Sequence, residues 1–121
     1  MADEATHKHL VQRLYEEAFK QHNLAVLDDL LAPDFLDHSP LEGQAPGRDG
    51  FRESVAKGQA SLPDMQFTLE EIIAEGGLVA IRQRVRTSHA GKTVEFPGMG
   101  FFRCRAGKIV EAWWTIDSPS M

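Results

Sequence analysis

From Met65 onward the chain reads with a period of two, and this run constrains the fold more than any other feature. Phe67 and Leu69 alternate with polar neighbours, and after an offset the pattern resumes at Ile72 and Ile73. Leu78 to Ala90 alternates without a break. Val79, Ile81, Gln83, Val85, Thr87 and His89 share one face, and Leu78, Ala80, Arg82, Arg84, Arg86 and Ser88 the other. Val94 to Arg105 is a further strand, with a bend or bulge predicted at Pro97-Gly98. In the last strand Ile109, Glu111, Trp113, Thr115 and Asp117 fall on one side, and Val110, Ala112, Trp114 and Ile116 on the other. Glu75-Gly76-Gly77, Ala90-Gly91-Lys92 and Ala106-Gly107-Lys108 are hairpin-turn signals between these strands. Four strands joined by such short turns make an antiparallel meander.

The first half of the chain has a helical rhythm. Leu10, Val11, Leu14, Ala18 and Phe19 form one stripe, with Tyr15 on the same side. Gln21-His22-Asn23 breaks it, and Asn23 is a candidate N-cap for a shorter helix carrying Leu24, Leu27, Leu30 and Leu31. Pro33 is predicted to end that helix, because proline disfavours helix in the residue before it. A short extended piece, Phe35 to Pro40, leads into a loop from Pro40 to Asp49 that is either a lid or a plain surface connection. A third helix is predicted from about Asp49 to Ser61, with Phe51 and Val55 on its apolar side. Helices first and a sheet last make an α+β layout. A long twisted sheet curls, so the expectation is a cone-shaped antiparallel sheet around three helices, with an apolar pocket in its mouth.

Composition removes several function classes. The chain's 121 residues suffice for one domain, residues 1–121, and 13 Lys+Arg against 18 Asp+Glu leave a formal charge of −5. Such a balance argues against nucleic-acid backbone binding. No apolar run approaches a membrane span, and the acidic start, MADEATHKHL, is not a secretory signal. The single cysteine, Cys104, excludes an internal disulfide and points to a reducing cytoplasm. His7 and His9 lack helical ligand spacing, and no phosphate-loop, dinucleotide or serine-hydrolase motif is present, so neither metal nor cofactor is expected.

Three residues are candidates for proton chemistry. His38 follows Asp37 at the end of an apolar run, and in an extended strand only one of the two can face a pocket. Histidine as a residue type suits proton transfer, which makes His38 a candidate; otherwise it packs at the sheet edge against backbone. His89 ends the face that carries Gln83, as a rim donor or as the start of a turn. Asp117 is the leading candidate. On a regular strand it stands beside Trp113, where a half-dry carboxylate becomes a better base; otherwise Asp117-Ser118-Pro119 is simply a turn. Tyr15, Phe35, Phe51, Gln83, Phe102 and Trp113 are the candidate pocket residues. Trp114, on the opposite face, is an exposed aromatic that a second subunit would cover, and the Arg82, Arg84, Arg86 row reads as a solvated or dimer surface.

Leu31-Ala32-Pro33-Asp34-Phe35-Leu36-Asp37-His38, Ile72-Ile73-Ala74-Glu75-Gly76, Ser88-His89-Ala90-Gly91 and the run Phe102 to Trp113, with Asp117 closing a Trp-x-x-x-Asp pattern, resemble one family in order and spacing. The chain looks like the SnoaL-like polyketide cyclases of the nuclear transport factor 2-like superfamily. That resemblance implies a cofactor-independent cyclase acting on a small apolar carbonyl compound; with the Trp114 face to cover, the expected assembly is a homodimer. It assigns Asp117 as the acid/base and puts His38 and His89 in the pocket. Ketosteroid-isomerase chemistry fits less well, since its base falls near Ser39, its acid near Gly100 and its tyrosine near Leu14. A non-catalytic binding or dimerisation module of the same fold is the alternative.

Overall fold

The structure, a computed structural model, describes residues 3–116. Helix α1 (Glu4–Arg13) begins at Asp3, whose side chain accepts from the Thr6 amide at 3.0 Å. It runs straight into a π-helical segment, Leu14–Lys20. The predicted stripe of Leu10, Val11, Leu14, Tyr15, Ala18 and Phe19 is buried along these two segments. The second helix is shorter than its sequence suggests: a 3-10 turn, Leu24–Val26, then α2 (Leu27–Leu30). Asn23 precedes that turn without a side-chain capping bond. Pro33 does not end the helix, because strand β1 (Leu31–Asp37) has already begun. Helix α3 (Gly47–Ser61) starts two residues before Asp49, whose carboxylate pairs with Arg52 at 2.8 Å.

Strands β2 (Gln66–Glu75), β3 (Leu78–His89), β4 (Lys92–Arg105) and β5 (Lys108–Ile116) form the meander. Its hairpin turns match the sequence signals: Gly76-Gly77 (φ 56° and 85°), Ala90-Gly91 (53° and 79°) and Ala106-Gly107 (53° and 77°) all have positive φ at both central positions. That geometry follows the right-handed twist of the flanking strands. The sheet order is β1-β5-β4-β3-β2, and β1 pairs parallel to β5, so the curved sheet is antiparallel except at that edge.

No bulge occurs at Pro97-Gly98, where β3 and β4 stay in register opposite Arg84 and Gln83. The two irregularities within the meander fall elsewhere. One lies between Leu69 and Glu71, which explains the offset read in β2 and turns Ile73 outward, where it is 69% exposed. The other lies where Arg103 pairs with Glu111 and Cys104 with Ile109; the extra residue, Val110, moves Ile109 to the buried side. The concave face then carries Phe67, Leu69, Val79, Ile81, Gln83, Val85, Phe96, Phe102, Ala112 and Trp114. Helices α1 and α3 cover it, and Phe35 meets Phe51 at 5.2 Å between ring centroids.

Candidate active site

The concave face is apolar with a few polar groups set into it. Tyr15 projects from the π-helical segment and is 4% exposed, its ring edge-on to Phe19, Phe67 and Phe102. Its hydroxyl has no hydrogen-bond partner among the described residues. Burial pushes that hydroxyl's pKa above the ordinary tyrosine value. Gln83 is completely buried, and neither its Oε1 nor its Nε2 has a partner among the described residues. Beside it on β4 the concave row reads Phe96, Gly98, Gly100, Phe102. Both positions need glycine: a Cβ at Gly98 would lie 2.9 Å from Thr115 O and 3.0 Å from Gln83 Nε2, and one at Gly100 would lie 2.9 Å from Trp113 O and 3.7 Å from Trp114 Cε3.

Asp37 supplies the carboxylate on this side. Its Oδ1 accepts from Trp114 Nε1 at 3.2 Å and from the Ser39 amide at 2.9 Å, and its Oδ2 accepts from Gln44 Nε2 at 3.0 Å. The loop before α3 is thereby fastened to the sheet. Gly50 lets the same loop sit against α3, since a Cβ there would overlap the Ala45 backbone.

Sequence reasoning placed one histidine and both tryptophans on the wrong side. His38, next in the chain after Asp37, faces the opposite, convex side, where its Nε2 lies 2.8 Å from Glu111 Oε2. Its ring stacks on Trp113 at 4.4 Å with an interplanar angle of 2°. Arg103 Nε donates to the other Glu111 oxygen at 3.1 Å, and these bonds, His38's first, hold the Glu111 carboxyl below its ordinary pKa. Trp113 is thus an outer-face residue. Trp114, expected outside, packs against Phe19, Phe51 and Phe102. Glu111 and Thr115 alternate with Trp113, and those polar residues were the available sign of which face is wet. The Arg82 and Arg84 guanidiniums, also convex, are paired with Glu70 and Glu71.

His89 ends β3 opposite Lys92, and its side chain is not among those described. Asp117 lies outside the described residues. Trp113, the residue it was expected to stand beside, lies on the convex face. Phe35, Phe51 and Phe102 do lie in the concave wall with Tyr15 and Gln83. A recess of about 670 Å³ runs between the π-helical segment and β2, with Tyr15, Lys20, His22, Asp64, Met65 and Phe67 along it. Among the described residues no cluster of three potential metal ligands occurs, and no helix is long and apolar enough to cross a membrane.

The family model of the SnoaL-like polyketide cyclases matches residues 9–121. The chain belongs to this family. Solved relatives agree with the SnoaL-like assignment. IdmH from Streptomyces antibioticus, provisionally a polyketide cyclase, is 30% identical over 92% of this chain and 91% of its own, with a TM-score of 0.80. A loop-truncation variant of IdmH is 34% identical over 92% of each chain, with a TM-score of 0.81. A provisional polyketide cyclase from Bacillus cereus, 21% identical over 93% of this chain and 74% of its own, shares the fold with a TM-score of 0.84. No curated protein matches.

Proposed function

We propose that the chain is a cofactor-independent cyclase that closes a ring in a small apolar carbonyl compound by intramolecular aldol addition. The observation that carries this reading is a pair of buried polar groups on an aromatic wall, the Tyr15 hydroxyl and the Gln83 amide, without partners among the described residues. Such groups are costly to bury unsatisfied and suit a ligand's carbonyl oxygen. In the reaction a base takes the proton from the carbon next to one ketone. The resulting enolate carbon bonds to a second carbonyl carbon. That carbonyl's oxygen takes a proton, so a hydroxyketone forms and the base is restored. Tyr15 and Gln83 donate to the enolate oxygen, and His89, at the end of the same β3 row, supplies a rim donor.

Asp117 is the proposed base. It follows Ile116, which stands in register with Gly98 and so with Gln83. Asp117-Ser118-Pro119 is turn-forming sequence, able to carry the carboxylate out of the strand's alternation. One observation favours a second assignment, with Asp37 as base: its carboxylate is already on the concave side beside Trp114. The test is α-proton exchange of 1-phenylbutan-1-one in D₂O, followed by NMR. The wild type is expected to accelerate exchange, and Asp117→Asn to lose at least ~100-fold of that acceleration. Loss in Asp37→Asn with Asp117→Asn intact moves the base to Asp37. Ligand binding by the wild type without exchange reduces the protein to a non-catalytic binding module.

A homodimer belongs to the same proposal. Ile73, Met99 and Phe101 are 69%, 60% and 52% exposed on the convex face, and Phe101 pairs across the sheet with Trp113. Clustered apolar exposure of this kind marks an interface. Light scattering is expected to give twice the chain mass for the wild type and the single chain mass for Phe101→Glu.

A further inference from the structure

Two polar side chains are buried on the concave face of β3, Gln83 and Thr87. Thr87 is satisfied, donating to Asp64 Oδ1 at 3.3 Å. Gln83 differs: both ends of its amide, one a donor and one an acceptor, are without a partner among the described residues. Its rung of the sheet runs Leu69, Gln83, Gly98, Ile116. A Cβ at Gly98 would lie 3.0 Å from Gln83 Nε2 and 3.2 Å from its Cγ, so glycine at this position lets the amide lie across β4. One rung along, Gly100 stands between Ile81 and Trp114, and a Cβ there would lie 3.7 Å from Trp114 Cε3. The amide thus lies against the Gly98 backbone, one rung from the Trp114 indole.

We infer that Gln83 is the specificity-determining residue of this hollow, reading a ligand group that offers an acceptor and a donor side by side: the enol form of a 1,3-dicarbonyl. The inference rests on the proposed carbonyl ligand and adds which carbonyl it is. The enol's carbonyl oxygen accepts from Nε2, and its hydroxyl donates to Oε1. A lone ketone answers only Nε2 and leaves Oε1 buried and unpaired. A carboxylate has no donor for Oε1. A carboxamide leaves its second N–H against the aromatic wall. Sites built to hydrogen-bond a polar group reject analogues that lack it far more strongly than apolar pockets reject a change of size.

The experiment compares 1-phenylbutane-1,3-dione with 1-phenylbutan-1-one, which has the same carbon skeleton and one oxygen fewer. Dissociation constants are measured by calorimetry for the full-length wild type and for Gln83→Met, with Gln83→Leu as a parallel variant should the first fail to fold. The wild type is expected to bind the dione at least tenfold more tightly than the ketone, and the variant to bring the ratio close to one. Equal affinities in the wild type overturn the inference, as does no binding of either compound, or a preference that survives loss of the amide. Binding is read without turnover, so this result stands or falls separately from α-proton exchange in Asp117→Asn.

Discussion

The Trp114 indole donates its Nε1 proton to Asp37 Oδ1 across 3.2 Å, joining residues 77 positions apart in the chain. The same carboxylate holds the Ser39 amide and the Gln44 side chain. One aspartate therefore fixes the end of β1, the loop before α3 and the Trp114 ring. Asp37→Ala should destabilise the protein by roughly 2–3 kcal/mol, since hydrogen bonds to charged groups contribute about 1.5–3 kcal/mol and several are lost together. The urea midpoint checks this. An unchanged midpoint means the clamp does not hold the fold.

Tyr15 is the only tyrosine, so absorbance at the tyrosinate band reports it alone. Desolvation raises its pKa from the ordinary 10.0. The folded protein then keeps this proton at pH values where the unfolded chain releases it. Stability is intact below pH 10.0 and declines as the pH rises above it. Tyrosinate should appear only together with unfolding, and Tyr15→Phe should flatten the alkaline decline. A tyrosinate signal near the ordinary value in folded protein would place the hydroxyl in solvent.

Cys104 is 5% exposed, and burial pushes its thiol pKa up to about 11. Thiolate is the reactive form, so the native protein should react slowly with Ellman's reagent at pH 8 and quickly in urea. Rapid labelling of native protein would show that this part of the core opens.

The sequence carried much of the fold in its local chemistry. Gly91 and Gly107 stand at positive φ in hairpin turns whose position their sequence announces, and the stripe from Leu10 to Phe19 is buried as its spacing implies. What stayed hidden depends on contacts between distant residues. Alternation along β5 separates Trp113 from Trp114, yet which of them is inside depends on which side of the sheet the helices cover. His38 has the chemistry of a catalytic residue and is held outside by Glu111, 73 positions away. Asp37 was legible only as one of two neighbours competing for the pocket. The two bulges change parity without a distinctive residue to mark them, and the parallel pairing of β1 with β5 has no local signal.

Gln83 also has a consequence for stability. An amide buried without partners is a cost that a similarly shaped apolar side chain removes. Gln83→Met is expected to raise stability by about 1 kcal/mol, seen as a higher melting temperature, while discrimination between dione and ketone is lost. A fall in stability would show that the amide is satisfied in the free protein.

A crystal structure of the protein with 1-phenylbutane-1,3-dione bound would locate the ligand outright. The dione should lie over Gly98 and Gly100, with one oxygen within hydrogen-bond distance of Gln83 Nε2, the other near Oε1, and the phenyl ring against Trp114. Density for the dione only in the recess between Tyr15 and Met65, or only on the convex face by Trp113, would refute the assignment of the concave hollow as the reaction site.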